Sequence, residues 1–206
     1  MANEKSPATA VVLGTEKGKL VRFSYLNVFK ARPHKESGAL LYSVQLHIPK
    51  ENTKDHAAIL AAYEGQKAAF LKETGRSCGK EFHHPLVDGD TREDADGKPD
   101  LVPGHWILSA KKFAESTDGT ENPPPEVVGT ERDEKGNLKP LASNQIKSGD
   151  FGRASLSFSY FTKKQGGVSV YLNSVQKVRD GAPLGNAQQS ATEAFGDYDD
   201  SDDILG

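Results

Sequence analysis

The sequence predicts a mainly β fold: a small five-stranded barrel with one helix, long inserted loops and a disordered acidic C-terminal tail. Three observations carry this. Five segments alternate apolar and polar residues with period two, and one segment repeats apolar residues at helical spacing. The last nineteen residues hold six acids and no Lys or Arg. With 206 residues and 35% hydrophobic content, the chain supports one core with generous polar loops better than two compact domains. The expected organisation is a flexible N-terminal arm over 1–14, a barrel domain over 15–187 and the tail over 188–206.

The first expected strand is Lys19 to Phe29, where Val21, Phe23 and Tyr25 alternate with Arg22 and Ser24. Lys30 to Gly38 reads as a basic, turn-rich loop. In the second strand, Leu40 to Ile48, Tyr42, Val44 and Leu46 share one face, and Ser43, Gln45 and His47 share the other. Asn52 or Thr53 caps a helix running to about Lys72, because Ile59, Ala62, Tyr63, Ala69 and Phe70 recur at helical spacing. Residues 75–103 read as an irregular connection, and His105 to Phe113 as a third strand. Residues 114–150 contain at most short strands. Phe151 to Phe161 and Gly167 to Arg179 close the body, joined by a basic turn at Lys163 and Lys164. The OB-fold is the commonest such barrel among nucleic-acid binders. Its helix usually sits between the third and fourth strands, whereas this one follows the second.

No apolar run is long enough to span a bilayer, and Met1 to Pro7 lacks the apolar region of a signal peptide. A single cysteine, Cys78, excludes an internal disulfide. The expectation is a protein of a reducing compartment with no membrane partner.

Charge is unevenly placed. The formal net charge is −3, and removing the six tail acids leaves a body of +3. A mildly basic body tethered to an anionic peptide suits proteins that handle nucleic acid, since the peptide can stand in for phosphate or dock on basic partners.

The polar alternate face of each strand is the one a ligand meets. This outward set comprises Arg22, Lys111, Phe113, Arg153, Phe161, Tyr171 and Asn173. Lys30, Arg32 and Lys35 line the loop after the first strand, and Lys163 and Lys164 the last turn. Cations interleaved with exposed aromatics are what binding of single strands without sequence preference requires. Scattered cations also occur on any soluble β protein. Phe23, Tyr25, Trp106, Phe158 and Tyr160 are assigned to the core.

Asp88, Asp90, Glu93, Asp94, Asp96 and Asp100 form an acidic stretch whose spacing does not match a calcium loop, so a solvated loop is expected. Cys78, His83, His84 and His105 fit no standard zinc spacing. There is no phosphate-binding loop, dinucleotide fingerprint or nucleophile elbow, so no catalytic residue, metal or cofactor is expected.

Several segments in series carry a resemblance: Gly18-Lys-Leu-Val-Arg-Phe-Ser-Tyr-Leu-Asn-Val-Phe29, Tyr42-Ser-Val-Gln-Leu-His-Ile-Pro-Lys50, Pro85-Leu-Val-Asp-Gly-Asp90, Gly104-His-Trp-Ile-Leu-Ser-Ala-Lys111 and Leu172-Asn-Ser-Val-Gln-Lys-Val-Arg-Asp-Gly181. The chain resembles a family of bacteriophage single-stranded DNA-binding proteins over most of residues 15 to 185. That resemblance implies an OB-fold core coating single-stranded DNA during DNA replication, recombination and repair, in the cytoplasm of the infected bacterial host. It also implies an acidic tail that competes with DNA and recruits phage or host replication and recombination proteins, here through Asp197, Asp199, Asp200, Asp202, Asp203, Ile204 and Leu205. The tail ends in Ile-Leu-Gly rather than the terminal aromatic of many such proteins. Arg22, Lys111 and Asn173 fall both in the resembling segments and on the outward face. Homodimerisation is left open. Two other readings stand beside this one: an accessory scaffold or DNA mimic acting through its tail, and a metal-dependent nuclease using Asp88 to Asp100.

Overall fold

The computed structural model describes residues 8–34, 37–94, 96–116 and 118–184. Residues 1–7, Lys35 and the tail residues Asp197, Asp199, Asp200, Asp202, Asp203, Ile204 and Leu205 lie outside the described residues. In chain order the strands are β1 (Thr9–Leu13), β2 (Val21–Pro33), β3 (Leu40–Pro49), β4 (Leu86–Asp88), β5 (His105–Phe113), β6 (Glu126–Arg132), β7 (Leu138–Pro140), β8 (Phe151–Phe161) and β9 (Gly167–Arg179). Helix α1 (Thr53–Thr74) lies between β3 and β4.

The protein is mainly β, and the five strands expected from alternation are the five that close on themselves. β2 pairs with β3, β3 with β5, β5 with β9, β9 with β8 and β8 with β2. All these pairings are antiparallel except β5 with β9, which meet in parallel at Lys111 and Tyr171. The order β8-β2-β3-β5 places the fourth ring strand beside the first, the Greek-key connectivity of an OB-fold-like ring. β1 extends β8, β4 extends β5, and β6 with β7 extends the far side of β9. The sequence did not reveal these four because three are short or irregular. Alternation puts Leu13, Val21, Phe23, Leu46, Ile48, Leu108, Leu156, Phe158, Leu172 and Val175 into one solvent-free core.

Helix α1 runs within two residues of its expected span. The Asn52 side chain accepts the Asp55 N–H at 3.2 Å, and Gly75 ends the helix at φ 66°, a conformation glycine adopts without penalty. Ile59, Ala62, Tyr63 and Phe70 are its buried face.

Three expectations need correction. The span 1–14, expected as an arm, contains strand β1, which pairs along β8 from Thr9–Phe158 to Leu13–Ala154. Helix side chains hold this segment at both ends. Asp55 Oδ2 accepts the Gly14 N–H at 2.6 Å, and Gln66 Nε2 donates to Thr9 Oγ1 at 3.1 Å. Second, the basic loop begins later than expected, since β2 continues to Pro33 and carries Lys30 and Arg32 on a strand. Third, Tyr25 is not core. The β2–β3 register shifts between Ser24 and Asn27, Tyr25 adopts φ 46°, and its side chain is 64% exposed.

Two buried polar groups have energetic consequences. Asp55 and Asn52 are solvent-free, and Asn52 Nδ2 donates to Asp55 Oδ2 at 2.8 Å. Burial pushes the Asp55 carboxyl up, against the pull of these donors. Replacing Asp55 with Ala strands two buried donors and is expected to cost about 1–3 kcal/mol, read as a lower urea midpoint at unchanged m-value. His47, on the outer face of β3, is pushed down from 6.5 to about 4, mainly by burial, with His105, Arg22 and Arg92 adding repulsion. The unfolded chain therefore binds a proton that folded His47 refuses. Stability is expected to fall as pH drops from 6.5 toward 4, and His47→Gln should flatten part of that fall in urea titrations repeated across pH.

Candidate nucleic-acid interface

A groove of about 560 Å³ lies on the outside of the ring. Its floor comes from β2, β3 and β5: Tyr25 and Asn27, Ser43 and Gln45, Ser109 and Lys111. Cross-strand register explains why these meet, since Ser43 opposes Lys111 and Gln45 opposes Ser109 on the polar face. Arg32, Pro33 and His34 form one wall, where β2 runs into its loop, and His83, Pro85 and Val87 form the other. An exposed aromatic, two cations and several hydroxyls thus share one concave surface, suited to stacking bases and neutralising phosphates. Burial, with Lys111 and His84 nearby, pushes the His83 imidazole down, and Arg32 and Lys111 are the groove's formal cations.

The residues expected to contact DNA divide into groups. Arg32 and Lys111 line the groove. Phe113 and Tyr171 continue its surface: Lys111 Nζ lies 5.7 Å from the Phe113 ring centroid, and the Phe113 and Tyr171 rings are 6.4 Å apart. Phe161 lies 6.1 Å from the groove-lining His83 ring. Next to it, Lys163 and Lys164 are exposed on the β8–β9 turn, and Arg76 pins that turn by donating to the Thr162 and Lys164 carbonyls at 2.7 and 2.5 Å. Lys30 is exposed on β2 beyond the groove lining.

The other three sit elsewhere on the ring. Asn173 is exposed on β9, its amide donating to Ser157 Oγ at 2.9 Å. Arg153 is half-buried against Gln176, 3.3 Å away, and its Nε is buried with no partner among the described residues. Arg22 is committed internally. Its Nε donates to the Gly149 carbonyl at 3.1 Å and its Nη2 to that of Ala182 at 2.8 Å, while its guanidinium lies 5.4 Å from the Phe151 ring.

Sequence reasoning missed Tyr25, Gln45, His34 and His83 as groove residues. The signal for Tyr25 is that buried positions switch from odd numbers at Val21 and Phe23 to even at Val28, as a bulge requires. His83 had no local signal, because a lone parallel bridge to Gly167 brings it there.

The acidic stretch is occupied by its own cations and backbone. Lys50 Nζ lies 2.5 Å from Asp88 Oδ1 and 2.7 Å from Asp90 Oδ2, holding both carboxyls below the usual range. Asp90 Oδ1 accepts the Gly104 N–H at 2.6 Å, and Arg92 pairs with Asp100 at 3.0 Å. Among the described residues, no group of three or more His, Cys, Asp or Glu side chains is placed to hold a metal ion. Trp106 stacks on His56 at 4.8 Å and lies under Lys50 Nζ at 4.6 Å, so its ring is engaged away from the groove.

Comparison with solved structures gives the same fold. The single-stranded DNA-binding protein from bacteriophage Enc34, in complex with ssDNA, aligns at TM-score 0.62 and 20% identity, covering 89% of this chain and 100% of that one. A C-terminal truncation of the Enc34 protein aligns at TM-score 0.56 and 20% identity, covering 89% and 99%. The gp2.5 single-stranded DNA-binding protein encoded by bacteriophage T7 aligns at TM-score 0.52 and 15% identity, covering 97% and 100%. No curated protein sequence matches. The model of one sequence family, described as Enterobacter phage Enc34 ssDNA-binding protein, matches residues 9–205. The match runs through every strand of the ring and every residue of the groove, and the chain belongs to the Enterobacter phage Enc34 ssDNA-binding protein family.

Proposed function

We propose that this chain is a non-catalytic, sequence-nonspecific single-stranded DNA-binding protein acting in phage DNA replication, recombination and repair in the cytoplasm of the infected host. The observation carrying this reading is the juxtaposition of exposed Tyr25 with Arg32 and Lys111 in one groove outside the strand ring. The strand lies along β2, β3 and β5, its bases on Tyr25 and on the Phe113–Tyr171 surface, and its phosphates near Arg32, Lys111 and the β8–β9 turn. Family membership and the DNA-bound Enc34 relative support single-stranded DNA as the ligand.

The acidic tail competes with DNA for this groove and offers a docking peptide to phage or host replication and recombination proteins. The position of Leu184 supports this. It lines a second cavity that shares Tyr25 and Gln45 with the groove. Glu193, the first tail acid, follows nine residues later, within an extended reach of about 30 Å.

Two outcomes test the reading. Affinity for labelled oligo-dT, followed by fluorescence anisotropy, should fall steeply with salt. Lys111→Ala or Arg32→Ala should weaken binding and reduce the log–log salt slope by about 0.7 each, the value for one phosphate contact on a single strand; unchanged slopes would remove the groove from the interface. Deleting 188–206 should tighten binding, most at low salt, and unchanged or weaker binding would exclude competition by the tail.

A further inference from the structure

The second cavity, of about 260 Å³, is walled by Ser24, Tyr25, Gln45, His47, Arg92 and Asp100, and its chemistry differs from that of the groove. The groove's formal charges are the cations Arg32 and Lys111. In the second cavity Arg92 and Asp100 cancel each other as an ion pair, Nη2 to Oδ2 at 3.0 Å. His47 beside them is neutral at physiological pH, because burial and the neighbouring His105, Arg22 and Arg92 disfavour its charge. A phosphate gains nothing there beside a carboxylate. A heterocycle gains hydrogen bonds and a stacking surface, and the volume lies just below the roughly 300 Å³ at which drug-sized ligand sites begin, as a single base requires.

The pieces are held in place. Arg92 Nη1 donates to Gln45 Oε1 at 2.9 Å, which leaves other guanidinium N–H groups and lone pairs of the Asp100 carboxylate unused. The loop bearing both residues is tied down by Lys50 on Asp90 and by Asp90 on the Gly104 N–H. Tyr25, thrust outward by the β2 bulge, stands on the boundary between the two cavities.

We propose that this second cavity is a nucleobase subsite, taking one base swung out of the strand in the groove, stacked on Tyr25 and read by Asp100 and Arg92, with guanine favoured. The proposal rests on the single-stranded DNA reading. Guanine presents two adjacent N–H donors, N1 and N2, to the two oxygens of a carboxylate, and its O6 accepts from a guanidinium. Thymine presents one N–H between two carbonyls, which a carboxylate repels. Base edges are free for such contacts only in single strands. The subsite adds a modest base preference to a groove that otherwise ignores sequence.

The test compares full-length protein on labelled oligo-dT and on oligo-dT of equal length carrying isolated dG residues. Wild type should bind the dG-bearing strand about fivefold or more tightly. Asp100→Asn, nearly isosteric, should abolish that preference and keep affinity for oligo-dT, with its urea midpoint confirming the fold. Tyr25→Ala should weaken both complexes and shrink the preference. Equal wild-type affinity for the two strands would overturn the subsite while leaving DNA binding intact. Asp100→Asn tightening both complexes alike would also overturn it, because Asp100 would then act only as a charge near the groove. Failure of wild type to bind either strand would overturn the DNA-binding reading, and the subsite with it.

Discussion

The ring depends on one close approach. At Gly152 strand β8 is paired with β9 along one edge and with β2 along the other, and a Cβ there would lie 1.9 Å from the Gln176 carbonyl oxygen and 2.8 Å from the Phe23 ring. A side chain at this point would push β8 off one neighbour, and the sheet would stay open at that seam. With glycine, β8 and β9 together pair with β1, β2, β5 and β6, so one hairpin ties both ends of the sheet. The core and the outer groove both exist because that seam closes.

Closing the ring sends apolar residues inward and leaves a curved polar exterior, on which the β2 bulge creates the candidate site. A regular β2 would have kept Tyr25 in phase with Val21 and Phe23 and buried it. The bulge instead holds it outward at φ 46°, a strained conformation for a tyrosine. Strain retained at a cavity-lining aromatic is consistent with a functional position, and Tyr25 is the aromatic common to both cavities.

The charged residues have separate tasks. Arg32 and Lys111 face the groove, Lys50 neutralises the acidic loop, and Arg22 clasps the C-terminal segment by binding the Gly149 and Ala182 carbonyls. Leu184 N–H donates to the Ser148 carbonyl at 3.3 Å, so this clasp carries the described chain to the rim of the second cavity. A cation's position on an outward face therefore did not reveal its role; its nearest acceptor did.

Read alone, the sequence determined the mainly β class, the five ring strands, the helix with its Asn52 cap, and two groove cations, Arg32 and Lys111. Those features follow from local periodicity and capping, which depend on neighbours three or four residues away at most. Tertiary structure decided the rest. The β1 segment is held by Asp55 and Gln66 of the helix, and His83 reached the groove through a bridge to Gly167. Tyr25 left the core through a register shift against β3, and Arg22 was taken by carbonyls more than a hundred residues away. Each of these outcomes rests on contacts between distant segments, and period-two alternation carries no information about which strands will meet or where their register slips.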